Sequence, residues 1–443
     1  MASTYLTRTF GTATNRKKFT LSMWVKQSGR GTGNNNSLLV SGASGQNEGT
    51  IKISSDAILW GEYNVGSSSS VATLTSNQLL RDYSAWYHLV FAWDSANATA
   101  DDRMKIYLNG EQVTSFSTRT NAPLNYDAQI NNNIVHNIGR QTWNSSGLFD
   151  GSMSHINFVD GTVYDATAFG EYDANGVWTI KTSPSVTYGT NGFFILKNGN
   201  SVTDQSGNSN NFTVGGGTLT NTEDNPSNVF AVNNPLASSG ITIAFGNTSA
   251  YKAGSGWNNV SSTLGASTGK YYAECKVNGL GNNGVGIGFV NLDKSNLQNA
   301  STQGGEDNFS AGIYSNGGPI FYQSSTTWKT VGSLSNGDIV QLAMDLDNGF
   351  LYWGKNGTWF DSANPASGAT GTGGLAVSNL SSSGTYAFNT SVRNGGDVRW
   401  NYGNGYFEVT AVASAGTNAS GNGIFEYDVP TGYTALSTKG LNL

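Results

Sequence analysis

Charge is what this chain has least of. Lys, Arg, Asp and Glu make up 12% of its 443 residues, against about 25% in ordinary soluble proteins. The 23 Lys and Arg are outnumbered by 29 Asp and Glu, for a net charge of -6, so the basic footprint of a nucleic-acid binder is missing and no DNA or RNA partner is expected. One cysteine, Cys275, leaves no intrachain disulfide and no Cys-based zinc site. No apolar run approaches the ~18 residues of a membrane span, so membrane insertion is not expected. Residues Met1 to Phe10 lack the apolar core of a signal peptide, which suits synthesis and first folding in a cytoplasm.

Glycine and aromatic residues are plentiful instead. Glycine fills 58 positions, and 11 Trp, 20 Tyr and 20 Phe supply enough apolar area to offset the ordering of a polar chain, so it should be globular. At roughly 150 residues per domain, two or three domains are expected.

Period-2 patterns with short turns dominate, and no stretch of ten or more residues keeps a 3.6 periodicity, so the chain reads as all-β. In Arg103 to Leu108, Met104, Ile106 and Leu108 share one face; Asn109-Gly110 then turns the chain into Glu111 to Phe116. Asn-Gly recurs at Asn191-Gly192, Asn336-Gly337, Asn348-Gly349 and Asn356-Gly357, all read as hairpin turns. Val340, Leu342, Met344 and Leu346 mark one face of a second-half strand, and Phe350 to Gly354 its partner. Strand density falls across 198 to 229, where Asn225-Pro226 and Asn234-Pro235 suit a crossover. Domains of 1–232 and 233–443 follow, each expected to be an antiparallel β-sandwich of jelly-roll type.

Particular segments carry family resemblances. Phe19 to Lys26, Trp86 to Asp94, Ile106 to Gly110, Ile138 to Arg140 and Leu148 to Ile156 resemble, in order and spacing, the laminin-G-like, concanavalin A-like sandwiches over about residues 1–215. Gly269 to Cys275, Val285 to Gly288, Asn336 to Asp345, Tyr352 to Trp359 and Trp400 to Asn404 resemble a SPRY domain, another two-sheet sandwich. The combination, with the opening ten residues, Thr203 to Thr213 and Asn225-Pro226, resembles virion proteins of tailed marine phages. That resemblance implies a structural or adhesive role on the particle surface, as a capsid decoration, a head knob or a tail fibre adhesin. Other virion proteins are the implied partners, and the chain as a homo-oligomer or as a monomer on a symmetric shell fits equally.

Candidate chemistry is sparse. His88 and His155 lie in expected strands, and His136 follows an asparagine run and reads as a loop residue. Concanavalin A-like folds also host glycosidases, which use two carboxylates. Glu171-Tyr172-Asp173 puts two on one strand face, but the third acid of the related pattern falls on Gly176 in an expected turn. A non-enzymatic protein is therefore expected, with a glycan depolymerase and a purely structural capsid protein as alternatives. Calcium needs six or more oxygens; the loop carrying Asp94, Asn97, Asp101 and Asp102 is the candidate metal site, and no other cofactor is expected. Asp345 to Gly349 lacks an acid at the twelfth position, which is Asn356. Aromatic rings beside amides suit the stacking and hydrogen bonding of sugars, so Trp143, Asn144, Trp257, Asn258 and Trp328 are the candidate glycan contacts, while Trp24, Trp93 and Trp353 should fill cores.

Overall fold

The computed structural model describes residues 4–28, 35–42, 47–64, 70–238, 240–297, 302–381 and 383–442. The chain forms two compact units, Met1–Asn221 and Thr222–Leu443, so that Phe230 and Ala231 pack in the second. Both are built from antiparallel sheets, with 43% of residues in strands and 6% helical.

In the first unit the strands are β1 Tyr5–Thr9, β2 Lys18–Gln27, β3 Asn35–Ser41, β4 Glu48–Ser54, β5 Ala57–Tyr63, β6 Ser70–Leu79, β7 Tyr87–Asp94 and β8 Met104–Leu108. They continue with β9 Glu111–Gln112, β10 Phe116–Thr120, β11 Val135–Ile138, β12 Gly151–Asp160, β13 Gly170–Tyr172, β14 Trp178–Ile180, β15 Phe193–Ile195 and β16 Thr213–Gly216. An eight-stranded sheet runs β10-β6-β5-β4-β3-β11-β1-β16, and a six-stranded sheet runs β15-β12-β2-β7-β8-β9. Alternation decides which side chains meet between them. Phe19, Leu21, Met23 and Val25 of β2, Leu89, Phe91 and Trp93 of β7, and Ile51, Ile53, Ile58 and Trp60 of the larger sheet form one core.

Asn109 and Gly110 take the positive φ of 49° and 89° that a two-residue hairpin turn demands. The strand after that turn is shorter than the sequence pattern suggests. Only Glu111–Gln112 pair with β8, and Phe116 crosses to the other sheet to pair with β6. Asn191-Gly192, by contrast, is not a hairpin turn. The Asn191 side chain is buried, accepting from the Gly11 amide at 2.9 Å and donating to Asn131 Oδ1 at 3.0 Å.

The outer face of the six-stranded sheet is covered by residues 162–190. Val90, Val159, Ala166 and Phe169 form a second, smaller cluster there. Trp24 is buried on this outer side, stacked on His88, whose other neighbour is Trp178.

The second unit contains β17 Thr242–Ala244, β18 Ser249–Lys252, β19 Asn258–Ser261, β20 Lys270–Gly279, β21 Val285–Asn291, β22 Ser310–Tyr314, β23 Pro319–Tyr322, β24 Thr326–Thr330 and β25 Ile339–Asp345. After these come β26 Phe350–Lys355, β27 Thr358–Trp359, β28 Leu375–Ala376, β29 Tyr386–Val392, β30 Gly396–Asn401, β31 Tyr406–Phe407, β32 Thr410–Ala411 and β33 Thr434–Ala435. A nine-stranded sheet has the path β17-β18-β30-β20-β25-β26-β27, with β28 on β26 and β33 on β20; it faces a six-stranded sheet ordered β19-β29-β21-β22-β23-β24. Tyr271, Ala273, Cys275 and Val277 alternate into the core with Val340, Leu342, Met344 and Trp353, so Cys275 is a buried core thiol.

Trp60 lies among Phe19, Phe91 and Trp93, with ring centroids 5.7 to 6.0 Å away. Trp60→Ala is expected to cost about 3–5 kcal/mol, measured by denaturant titration; a loss under about 1 kcal/mol would contradict this packing.

Candidate functional site

The outward face of the eight-stranded sheet has an unusual surface. Register carries one row across it: Thr213, Thr7, Asn137, Val40, Thr50, Gly61, Thr73 and Thr120 stand side by side on consecutive strands. Thr75 and Thr118 pair in the row beside it. These positions alternate with the core residues Ile51, Ile58, Trp60 and Leu74; Thr7, Thr213 and Thr120 toward the ends of the row are part-exposed or exposed, while Asn137, Val40, Thr50, Gly61 and Thr73 between them are buried.

Gly61 lets a ring lie on this face, as Gly215 does for Tyr5, whose ring is covered by the Arg140 guanidinium at 4.0 Å. A Cβ at Gly61 would stand 2.8 Å from Cε2 and 3.1 Å from Oη of Tyr63, so the Tyr63 ring lies down along the sheet over Gly61 and needs a glycine beneath it. Tyr63 is half-buried, and among the described residues no ring or cation stacks on its other face. Around it stand Thr73, the Glu48 carboxyl and, further along β4, Lys52. Ser37 Oγ and Asn137 Oδ1 are buried on the same side without a hydrogen-bond partner among the described residues. Such atoms cost free energy unless something meets them.

Of the residues chosen from sequence, Trp143 and Asn144 border this face. Their loop is tied to it by Asn137 Nδ2 donating to the Gln141 carbonyl at 3.1 Å and the Ser37 amide donating to the Gly147 carbonyl at 3.0 Å. Trp143 is half-buried and Asn144 exposed. Trp257 is not the open loop ring expected. It is 7% exposed, with the Arg393 guanidinium 4.3 Å over one face and Tyr314 at its side. Asn258 is half-buried in β19. Trp328 is half-buried against the core, 6.2 Å from Trp353, and Lys329 Nζ sits 4.4 Å from its ring. Neither Trp257 nor Trp328 joins the Tyr63 face. Sequence reading missed Tyr63 because it sought tryptophan in loops; the available signal was Gly-x-Tyr in a strand, the pair that lets a ring lie flat.

The proposed calcium ligands do not converge. Asp94 faces Lys18 at 3.5 Å, Asp101 pairs with Arg119 at 3.3 Å, Asp102 pairs with Lys105 at 2.9 Å, and Asn97 Oδ1 caps the Thr99 amide at 2.9 Å. Among the described residues no three His, Cys, Asp or Glu side chains form a metal cluster. Asp345 is fully buried against Lys270 at 2.8 Å.

The histidines are poor bases. His88 and Ser22 are 2.9 Å apart and buried, a pair that resembles a nucleophile with its base. Trp178 Nε1 donates to His88 Nδ1 at 3.0 Å, however, so Nε2 carries the proton and donates to Ser22. That is the reverse of what a base must do. His136 is a buried strand residue rather than a loop one, stacked 3.7 Å from Phe10. Burial pushes His88 and His136 down to about 3 and His155 to about 4. Glu171 and Asp173 are exposed, and Asp173 caps the Asn175-Gly176 turn through the Asn175 and Val177 amides at 2.8 and 2.9 Å.

The buried carboxylates lie elsewhere. Burial pushes Glu62 up to about 8, against the pull of the Gln129 and Ile130 amides, and Glu48 up to about 7, against the pull of Lys52. Glu62 follows Trp60 on the core side of β5, while Glu48 stands with Thr50 on the outward side of β4, so the two acids occupy opposite faces.

Residues 2–167 match the concanavalin A-like lectin/glucanases superfamily. The match covers less than half of the chain and is compatible with carbohydrate binding, in a superfamily that includes both lectins and glucanases. Among solved structures, the SPRY domain of human HERC1 is similar at 14% identity and a TM-score of 0.30, over 38% of this chain and 96% of that one. A human SPRY domain shares 15% identity at a TM-score of 0.28, over 37% and 94%. A native heptameric SAP-like pentraxin from Limulus polyphemus shares 18% at 0.27, over 36% and 71%. No curated protein sequence matches the chain.

Two outcomes follow. A chelator should leave the thermal midpoint unchanged, since Asp94, Asp101 and Asp102 each face a cation of the chain, with only Asp94 Oδ1 left without a hydrogen-bond partner among the described residues; a fall of several degrees would restore the metal site. For pH, a carboxylate whose folded value is raised holds its proton more tightly when folded, so stability falls as pH climbs through that value. Glu62 acts up to about pH 8, and Glu48 and Glu274 up to about 7. The three histidines weaken the fold only below their ordinary value of 6.5. The urea midpoint should therefore fall between pH 6.5 and 8, and Glu62→Gln should flatten that fall.

Proposed function

We propose that this chain is a non-enzymatic surface protein of a phage virion that contacts host or environmental glycans through the outward face of its first sheet. The observation that carries the glycan reading is the Tyr63 ring laid flat over Gly61 in a field of threonines. A sugar presents an apolar face ringed by hydroxyls. The open face of the Tyr63 ring offers the stack, and Thr75, Thr118 and Thr120, part-exposed or exposed on the two strands beyond it, offer hydrogen bonds. Trp143, on the loop beside that face, is the second aromatic contact in this reading.

The non-enzymatic part is supported by Glu48 and Glu62. Glycosidases hold their two carboxyl groups about 5 to 9 Å apart across one scissile bond, and acids on opposite faces of a sheet do not flank one ligand. The virion part is supported by the resemblance of the combined segments to tailed marine phage proteins, and by sparse charge, which keeps contacts tolerant of salt. Docking on other virion proteins, as a capsid decoration, a head knob or a tail fibre adhesin, belongs to the same reading.

Tyr63→Ala should lower binding of the purified chain to its glycan, found on an array, by about tenfold or more, and Trp143→Ala should lower it less. Unchanged binding in Tyr63→Ala would defeat the glycan site. Gold-labelled antibody on intact virions should mark the head or the tail, and unlabelled particles would defeat the virion reading.

A further inference from the structure

Arg393 follows β29 in the second unit, and its guanidinium is held in one pose. Cζ lies 4.3 Å over the Trp257 ring, and Nη2 donates to Tyr314 Oη at 3.2 Å. Tyr314 meets Trp257 edge-on at 5.8 Å and stacks on Phe321 at 6.4 Å, so the ring set is itself braced. The Arg393 Nε is enclosed without a hydrogen-bond partner, and among the described residues no carboxylate pairs with this side chain. Of the unit's other cations, Lys294 donates to Ser381 Oγ at 2.7 Å and Lys276 lies 5.7 Å over the Phe407 ring, while Lys270, Lys329, Lys355 and Arg399 each form an ion pair, in a chain where acids outnumber bases.

A second cation without an acidic partner among the described residues stands near. Lys252 Nζ reaches only the Gly240 carbonyl, at 3.5 Å. Backbone bonds gather the loops around the pair: Gly395 N to Lys252 O at 2.7 Å, Asn394 N to Gly254 O at 2.7 Å, and Asn282 N to Asn394 O at 2.9 Å. The exposed residues of these loops include Gly254, Ser255, Gly256 and Asn282, which offer amide and hydroxyl groups.

A half-buried guanidinium loses hydration that aromatic faces replace only in part. With Nε enclosed and one Nη2 proton on Tyr314, Nη1 and the second Nη2 proton form the end that remains without a counter-ion among the described residues, a fork that can bind an oxyanion through two hydrogen bonds. We propose that Arg393 is an oxyanion site for an acidic polysaccharide, taking a sulfate ester or a uronate carboxylate, with Trp257 and Tyr314 as positioning residues and Lys252 as a supporting charge. The rim favours a sugar over an acidic peptide, because Gly, Ser and Asn match ring hydroxyls and form no apolar side-chain pocket. The site stands in the second unit and does not depend on Tyr63.

Affinity electrophoresis of the full chain through gels containing dextran sulfate, polygalacturonate or neutral dextran tests this. Retardation by dextran sulfate alone assigns a sulfate, by polygalacturonate alone a carboxylate, and by both a general oxyanion site. Arg393→Ala should reduce that retardation by about tenfold, and Arg393→Lys nearly as much, since an ammonium keeps the charge but loses the fork. Tyr314→Phe, which keeps the ring, should weaken it by a smaller factor, and Tyr63→Ala should leave it intact. No retardation by either polyanion, or equal retardation of wild type and Arg393→Ala, overturns the proposal. Full retention in Arg393→Lys overturns the fork geometry in favour of diffuse charge. Loss of polyanion binding in Tyr63→Ala would return the activity to the first unit and overturn the site as well.

Discussion

The fold depends on carboxylates that are buried without cations and satisfied by amides. Asp160, 1% exposed, accepts from the Thr14 and Asn191 amides at 2.7 and 3.0 Å, the Asn15 amide at 3.1 Å and Asn131 Nδ2 at 2.6 Å. It ties the segment between β1 and β2 to the end of β12 and to the entry of β15. In the second unit, Glu274 does the same for the C-terminal segment. It accepts from the Glu426 and Tyr427 amides, each at 2.8 Å, from Tyr272 Oη at 3.0 Å and from Asn401 Nδ2 at 3.2 Å. An acid held this way needs donors at fixed positions, and asparagine side chains and turn amides supply them. A chain that anchors its loops by such means needs few Lys and Arg, which is how a composition poor in charge and rich in Asn and Gly remains compatible with two well-packed cores.

The same economy shapes the surfaces. Where acids and bases are few, an outward sheet face is made polar by hydroxyls, and the Thr row on the larger sheet of the first unit follows from that. Its distinction is the glycine that lets Tyr63 lie down. A side chain at position 61 would lift the ring off the sheet. In the second unit scarcity acts differently: Arg393 and Lys252 stand close together with no acid paired to either among the described residues, and the proposed oxyanion site rests on that grouping of charge.

Much of the fold was legible in the sequence, because alternation is a local property. Met104 and Ile106 point to the core, as do Val340, Leu342 and Met344, and Asn109-Gly110 and Asn356-Gly357 take the positive φ their residue types permit. What was not legible depends on partners distant in sequence. Asn191-Gly192 looks like any other Asn-Gly until Gly11 and Asn131 claim the side chain. His136 looks like a loop residue until Phe10 stacks on it. Trp257 looks open because its neighbours are Gly, Asn and Ser, and nothing local announces Arg393, more than a hundred residues away. The acids of the Asp94 loop are drawn apart by partners equally distant in sequence: Lys18 and Arg119, which pair with two of them, come from other strands.

The candidate site was the least legible part, and the reason bears on how it would work. Carbohydrate contacts at one ring and a few hydroxyls are weak individually, since each hydroxyl exchanges water for a protein partner at small net gain. A loop tryptophan is the feature a sequence reader seeks because it signals a single strong contact. A ring pressed onto a sheet exposes one face only and gives less. On the proposed particle, carrying many copies, that would be sufficient, because linked sites convert later contacts into intramolecular ones and raise the overall avidity by orders of magnitude without any new contact. Weak, salt-tolerant contacts at Tyr63 and a charge-reading contact at Arg393 would then divide the labour: the first holding any suitable glycan, the second distinguishing acidic polymers from neutral ones.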